Sequence, residues 1–269
     1  MTIRTHTAPA GPAVLDLTQH TGRITIRVDH TAIQAGVTVR TVAESGPVAD
    51  AVRRTEIDQV GQRITVAVPQ IPGMSSSTGT TIISGGDINI SGDHVTFSGL
   101  PGFNFIGGFS GRVIVDGVDV TQAVNGGAAH AEIETTVTLP PRSWVRLTTR
   151  SATTRATGPL ESLDYCGTSG TLRADEVRDL TVDLTSGRAT VARVTQRLTA
   201  TLTSGDLGVH AYDGADARIT MTSGNARLAA TRASRGRLSI GLTSGNATLT
   251  GTRHLDVSRH VTSGYLSVN

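Results

Sequence analysis

The tripeptide Thr-Ser-Gly recurs through the second half of this 269-residue chain, starting at Thr168, Thr185, Thr203, Thr222, Thr243 and Thr262. Arg150-Ser151-Ala152 stands one period ahead as a degenerate copy, so successive starts lie 18, 17, 18, 19, 21 and 19 residues apart. A period of this length constrains the fold more than any local propensity does, because each copy must be one structural unit stacked on the next.

The residues around each copy define the unit. Apolar side chains alternate before the tripeptide, as in Leu180, Val182 and Leu184 or Leu238, Ile240 and Leu242, and again at positions four and six after its Thr, as in Ala189 and Val191. Alternation at period two is the pattern of a strand with one buried face. The two strands are out of phase, so one residue is absorbed at a corner. Glycine accepts the positive φ such a bend can demand, and Ser or Thr hydroxyls can bond the backbone groups it frees. The structural corner is therefore assigned to Ser169, Gly170, Ser186, Gly187, Ser204, Gly205, Ser223, Gly224, Ser244, Gly245, Ser263 and Gly264. A unit this small buries no core alone. The expected fold is all-β, a single-stranded β-helix or β-solenoid with rungs of 17 to 21 residues.

The first half is less regular. Residues 1–13 are expected to be a disordered tail and 14–141 an irregular β part, with the regular solenoid over 142–269. Strand-like runs lie at 23–28, 37–42 and 62–68, and 48–54 reads as a short helix or a loop; together these are earlier rungs or a cap. Residues 73–111 are rich in Gly, Ser and Phe, with strands expected over 81–90 and 94–97, and 131–139 reads as a further strand before Pro140-Pro141. In the last copy Arg259 and His260 interrupt the alternation begun by Leu255 and Val257, which predicts a bulge.

Several features carry the resemblance of this chain to a bacterial putative-adhesin-like β-solenoid domain family of unknown function. They are Gly22-Arg23-Ile24-Thr25-Ile26, the Gly/Ser-rich middle, Val137-Thr138-Leu139-Pro140-Pro141 and the Thr-Ser-Gly copies. The resemblance implies a β-solenoid and carries no catalytic residues.

Function classes narrow by what is missing. All 24 basic residues are arginine, which removes lysine-dependent chemistry such as the P-loop and Schiff bases. The single cysteine, Cys166, excludes an internal disulfide or a CxxC site. A formal charge of +2 with interspersed acids leaves no nucleic-acid footprint, and no apolar run reaches a membrane span. With no signal peptide in the sequence, a cytoplasmic location is expected. His130, Glu132 and Glu134 alternate on one strand and could hold a metal, and Gly85-Gly86-Asp87 with Gly92-Asp93 faintly resemble calcium-binding repeats. Neither has a completing cluster, so no cofactor and no enzyme activity are expected. With six glutamates, a facing carboxylate pair for glycan cleavage is not evident. A glycan-binding or glycan-cleaving β-helix is the alternative to a non-enzymatic structural or protein-interaction scaffold.

Two regions suit a protein partner or self-association. Phe97, Phe103, Phe105 and Phe109 are all the phenylalanines of the chain, on a Gly-rich segment that is either a cover or a docking patch. The last copy ends in Tyr265, Leu266 and Val268, which continue the inward ladders with no cap encoded. Pairing through this edge is expected to give a homodimer rather than a filament.

Overall fold

The computed structural model describes residues 1–71 and 131–269 and, between them, the backbone of four short strands. The chain divides into two units, Met1–Gln70 with Ile133–Asn269, and Ile71–Glu132. In the N-terminal segment lie β1 (Thr2–Ala10), β2 (Val14–Gln19), β3 (Arg23–Val28), β4 (Gln34–Thr41), α1 (Pro47–Arg53), β5 (Glu56–Val60) and β6 (Arg63–Ala67). The smaller unit contains β7 (Ile88–Ser91), β8 (His94–Phe97), β9 (Arg112–Val115) and β10 (Val118–Asp119), a four-stranded sheet in the order β10-β9-β8-β7. The larger unit resumes with β11 (Glu134–Leu139), β12 (Trp144–Thr149), β13 (Thr153–Gly167), β14 (Thr171–Leu184), β15 (Arg188–Leu202), β16 (Asp206–Tyr212) and β17 (Asp216–Met221). It ends with β18 (Asn225–Ala230), β19 (Gly236–Thr250), a single 3-10 turn at Thr252–His254, and β20 (Leu255–Val268).

The larger unit is a β-solenoid, with about seven turns of ~19 residues in its regular part. Each turn has a strand entering the Thr-Ser-Gly corner and one leaving it, and every strand from β12 to β19 pairs in parallel with its counterparts above and below. Stacking in register turns the alternating apolar positions into columns. One runs Val145, Leu163, Leu180, Leu198, Ala217, Leu238, Val257, and all but Val257 are buried. A third inward column, Leu160, Val177, Val194 and Tyr212, lines the return segment between successive turns. In these copies an apolar residue nine positions after the corner Thr, as at Val177, Val194 and Tyr212, is the signal for it.

The N-terminal part supplies two more turns and a cap. β2 and β3 form a regular turn lying directly on β12 and β13. Leu15 and Leu17 enter its corner, and Ile24 and Ile26 leave it. The turn beyond it is split in sequence: β6 pairs with β2, and β11, some 70 residues later, pairs with β3. β4 then runs antiparallel on β11, β1 antiparallel on β4, and β5 antiparallel on β6. Of the short helix or loop expected over 48–54, the structure has the helix, α1, with Ala49, Ala51 and Val52 buried.

Two expectations need correction. Residues 2–10 are not a disordered tail: they form β1, held by backbone pairing to β4, with Ala8 its one buried apolar residue. The bulge expected near Arg259 is also absent. β20 pairs with β19 in one continuous register from Leu255 to Val261, so Arg259 sits on Ile240 in an inward column.

Candidate functional site

The corners are built by contact between successive turns. Each corner Ser donates its N–H to a carbonyl of the turn before, from Ser169 to Arg150 at 2.7 Å through Ser186, Ser204 and Ser223 to Ser244 on Thr222 at 2.7 Å. Four of these serines also donate their hydroxyl to the same carbonyl, at 3.0 to 3.3 Å. The hydroxyl column is thus spent within the stack. What selects glycine here is chiefly close approach. A Cβ on Gly187 would lie 2.3 Å from the Gly170 carbonyl oxygen, and one on Gly205 would lie 2.8 Å from that of Gly187. Positive φ enters at Gly224 and Gly264 but not at Gly205, so the left-handed conformation expected at every corner holds at only some of them.

The β2–β3 turn solves its corner differently. Gln19 occupies the inward place held elsewhere by Leu184 or Leu202 and is fully buried. It donates Nε2 to the carbonyls of Thr21 at 2.8 Å and Ile133 at 3.2 Å, and accepts the Thr135 hydroxyl at 2.5 Å. Burial is tolerable because its amide is bonded on both sides. Farther along, Thr149 donates its hydroxyl to the Tyr165 hydroxyl at 3.0 Å, and burial pushes the Tyr165 phenol above its usual range.

Several acids of the outer faces are held by arginines. Arg40 pairs with Glu134 at 2.7 Å, Arg146 with Asp164 at 3.0 Å, Arg188 with Asp206 at 2.9 Å, and Arg178 with Glu161. Asp206 is held below the ordinary carboxylate range by hydrogen bonds from the Asn225 amide and Arg188. For Asp213 desolvation is the largest influence and raises the pKa. Hydrogen bonds from Thr231 and from Arg193 Nε at 2.6 Å nevertheless leave it lowered. Glu134, proposed above as a metal ligand, is committed to Arg40, and no cluster of three metal-ligating side chains occurs among the described residues. His130, Phe103, Phe105, Phe109 and the Gly-Asp pairs lie outside the described residues; Phe97 ends β8. Among the described residues no helix is long and apolar enough to cross a membrane.

The most exposed functional candidate is the last turn. β20 pairs on one side with β19, and no described strand pairs with its other side. Tyr265 is 65% exposed and Val261 39%, while Val257, Leu266 and Val268 are half-buried where their counterparts one turn earlier, Leu238, Ala247 and Leu249, are buried. Arg259 ends a column that is otherwise apolar: Val66, Leu17, Leu147, Tyr165, Val182, Ala200, Ile219 and Ile240. Residues 231–269 carry five arginines and two histidines against one acid, Asp256. A shallow hollow beside this end is lined by Thr231, Arg232, Arg253 and His254. The edge signal was legible in Leu266 and Val268; the inward charge was not, because a break in alternation reads equally as a bulge.

Comparison with known proteins agrees with this architecture. The Toastrack DUF4097 family model matches residues 84–269. The fold is similar to a crystal structure of a putative adhesin from Bacteroides fragilis, with a TM-score of 0.52, 10% identity, and 99% of this chain and 97% of that one covered. A putative adhesin from Parabacteroides distasonis gives a TM-score of 0.48 at 10% identity, covering 100% of this chain and 97% of the other. No curated protein matches the sequence.

Proposed function

The chain belongs to the Toastrack DUF4097 family, and on that premise we propose that it is a non-enzymatic protein-interaction scaffold whose binding element is the free edge of β20. One observation carries this reading. The far end of the stack is closed by β1, β4, β5 and α1, whereas no described strand covers the 14-residue run of β20 or the ends of the core columns it carries. An edge of that kind pairs with another strand, and proteins that leave one open usually use it or protect it. The name adhesin, given to the Bacteroides fragilis neighbour, is compatible with a role in attachment. The commitment of Glu134, Glu161, Asp164 and Asp206 to arginines favours this reading over glycan cleavage, which needs two carboxyl groups facing one bond.

The partner strand can come from another protein or from a second copy of this chain. Two copies of β20 related by a two-fold axis would bury Leu266 and Val268 in a closed dimer, while a head-to-tail filament would have to stack β20 on the antiparallel cap. The test is hydrodynamic. The full chain and its Leu266→Lys and Val268→Pro variants are compared by sedimentation, alone and with material co-purified from the native source. The reading expects the wild-type assembly, with itself or with co-purified protein, to be lost in both variants, with melting temperatures within a few degrees of each other. An assembly that survives both substitutions overturns it.

A further inference from the structure

Resting on that reading, we infer that the β20 edge is built to receive an acidic strand from another protein, whose carboxylate covers Arg259. Three observations converge. The register places Arg259 on Ile240, so any strand continuing the stack sets one of its inward side chains directly over this guanidinium. No carboxylate of the described residues lies within ion-pair distance of Arg259, whereas the outward Arg40, Arg146, Arg178, Arg188 and Arg193 each hold one. The last two turns are strongly basic, with five arginines to one acid in a chain of 24 to 22.

A second copy answers these demands poorly. The inward positions of β20 are Leu255, Val257, Arg259 and Val261 before the corner and Leu266 and Val268 after it, and none is acidic. Asp256 continues an outer column of alternating sign, Asp179, Arg197, Asp216 and Arg237, on the opposite face of the strand. Two β20 strands stacked core to core would therefore enclose each Arg259 against an apolar side chain or another arginine. Enclosing a cation without a counter-charge is strongly unfavourable, and an inward charge on an edge strand guards against such pairing. A strand with an inward Asp or Glu converts the same residue from an obstacle into the specificity element, since the charge pair forms inside the new interface. Backbone pairing along the edge supplies the remaining affinity.

The probe is a fluorescent eleven-residue peptide alternating threonine and valine, with its central valine replaced by glutamate, glutamine or lysine. Binding to the full chain is read by anisotropy, alongside sedimentation of the unliganded protein. Wild type should bind the glutamate peptide at least about tenfold tighter than the glutamine one, and the lysine peptide weakest. Arg259→Glu should invert the order, Arg259→Gln should abolish the discrimination, and Val261→Pro should weaken all three peptides together. Equal affinity of wild type for the glutamate and glutamine peptides, or the same preference retained in Arg259→Glu, overturns the assignment. A wild-type dimer that Leu266→Lys dissociates, with no peptide bound, makes the occupant a second copy: the acidic strand falls while the edge reading stands. Absence of both dimer and peptide binding removes the edge reading as well.

Discussion

The two ends of the solenoid face the same physical problem and treat it in opposite ways. At one end the chain reverses direction: β4 and β1 run antiparallel on the last leaving strand, β5 does the same on the last entering strand, and α1 contributes Ala49, Ala51 and Val52 as buried apolar residues. At the other, β20 keeps the parallel register of the stack and leaves it uncovered, with a cation in a core column. Closure costs about 40 residues of sequence that repeat nothing, since a cap must match the solenoid on one face and water on the other. Among the described residues the stack thus has one closed end and one open one.

The same insult at each end should give the largest divergence. Val52→Asp buries an unpaired carboxylate in the cap and is expected to cost about 4 kcal/mol. Val257→Asp, half-exposed on β20, should cost less than about 1 kcal/mol. Chemical denaturation of both variants checks this, and equal losses would mean that the two ends are equally enclosed. A smaller divergence is expected at the corners. In Gly224→Val a Cβ would lie 2.1 Å from the Gly205 carbonyl oxygen at a φ of +104°, with another turn stacked above, for a loss of about 3 kcal/mol. Gly264→Val meets a similar clash, 2.2 Å at a φ of +109°, but only the last turn has to yield. It should fray β20 in hydrogen exchange while the global melting temperature moves by a few degrees at most. The smallest effect is electrostatic. Asp213 is bonded by Arg193 of the preceding turn and Thr231 of the next, a chain across three turns that the edge cannot supply. Because its folded pKa is lowered, the stabilisation is present above the ordinary carboxylate value near 4 and is lost as pH falls through the folded value. Asp213→Asn should therefore be less stable than wild type at pH 7 and converge with it near pH 2, measured as melting temperature against pH.

How far the sequence could be read depended on repetition. Columns such as Leu180, Leu198 and Leu238 were legible because the same pattern recurred with a Thr-Ser-Gly marker between its halves. The β2–β3 turn follows the same template: His20-Thr21-Gly22 stands where the tripeptide would, and Leu15, Leu17, Ile24 and Ile26 lie at the repeat positions. It escaped because a glutamine, satisfied by contacts more than 100 residues away, holds an inward place. β1 was illegible for another reason. Its sequence alternates almost nothing, and its order comes from backbone pairing to β4, which leaves no trace in side-chain pattern. At Arg259 the pattern itself was ambiguous, and only the register with Ile240 decides between a bulge and an inward charge.

The placing of β2 and β3 against strands made more than 100 residues later has a consequence for synthesis on the ribosome. Within the regular array each new turn finds its neighbour 17 to 21 residues behind, so winding can keep pace with emergence. The β2–β3 turn receives β6 early, since Val14 pairs with Arg63, but its other side waits for β12 and β13, where Val14 meets Trp144 and Arg23 meets Thr153. Closing a loop of 130 residues rather than one of 19 costs only about 2 kcal/mol in chain entropy, so the finished protein scarcely feels the detour. The delay is the larger matter. At the usual pace of translation, on the order of ten residues per second, Leu15, Leu17, Ile24 and Ile26 stay half-covered for roughly ten seconds after leaving the ribosome. The first turn made is among the last completed, and the seven turns that follow can be wound only onto a foundation that their own first strand finishes.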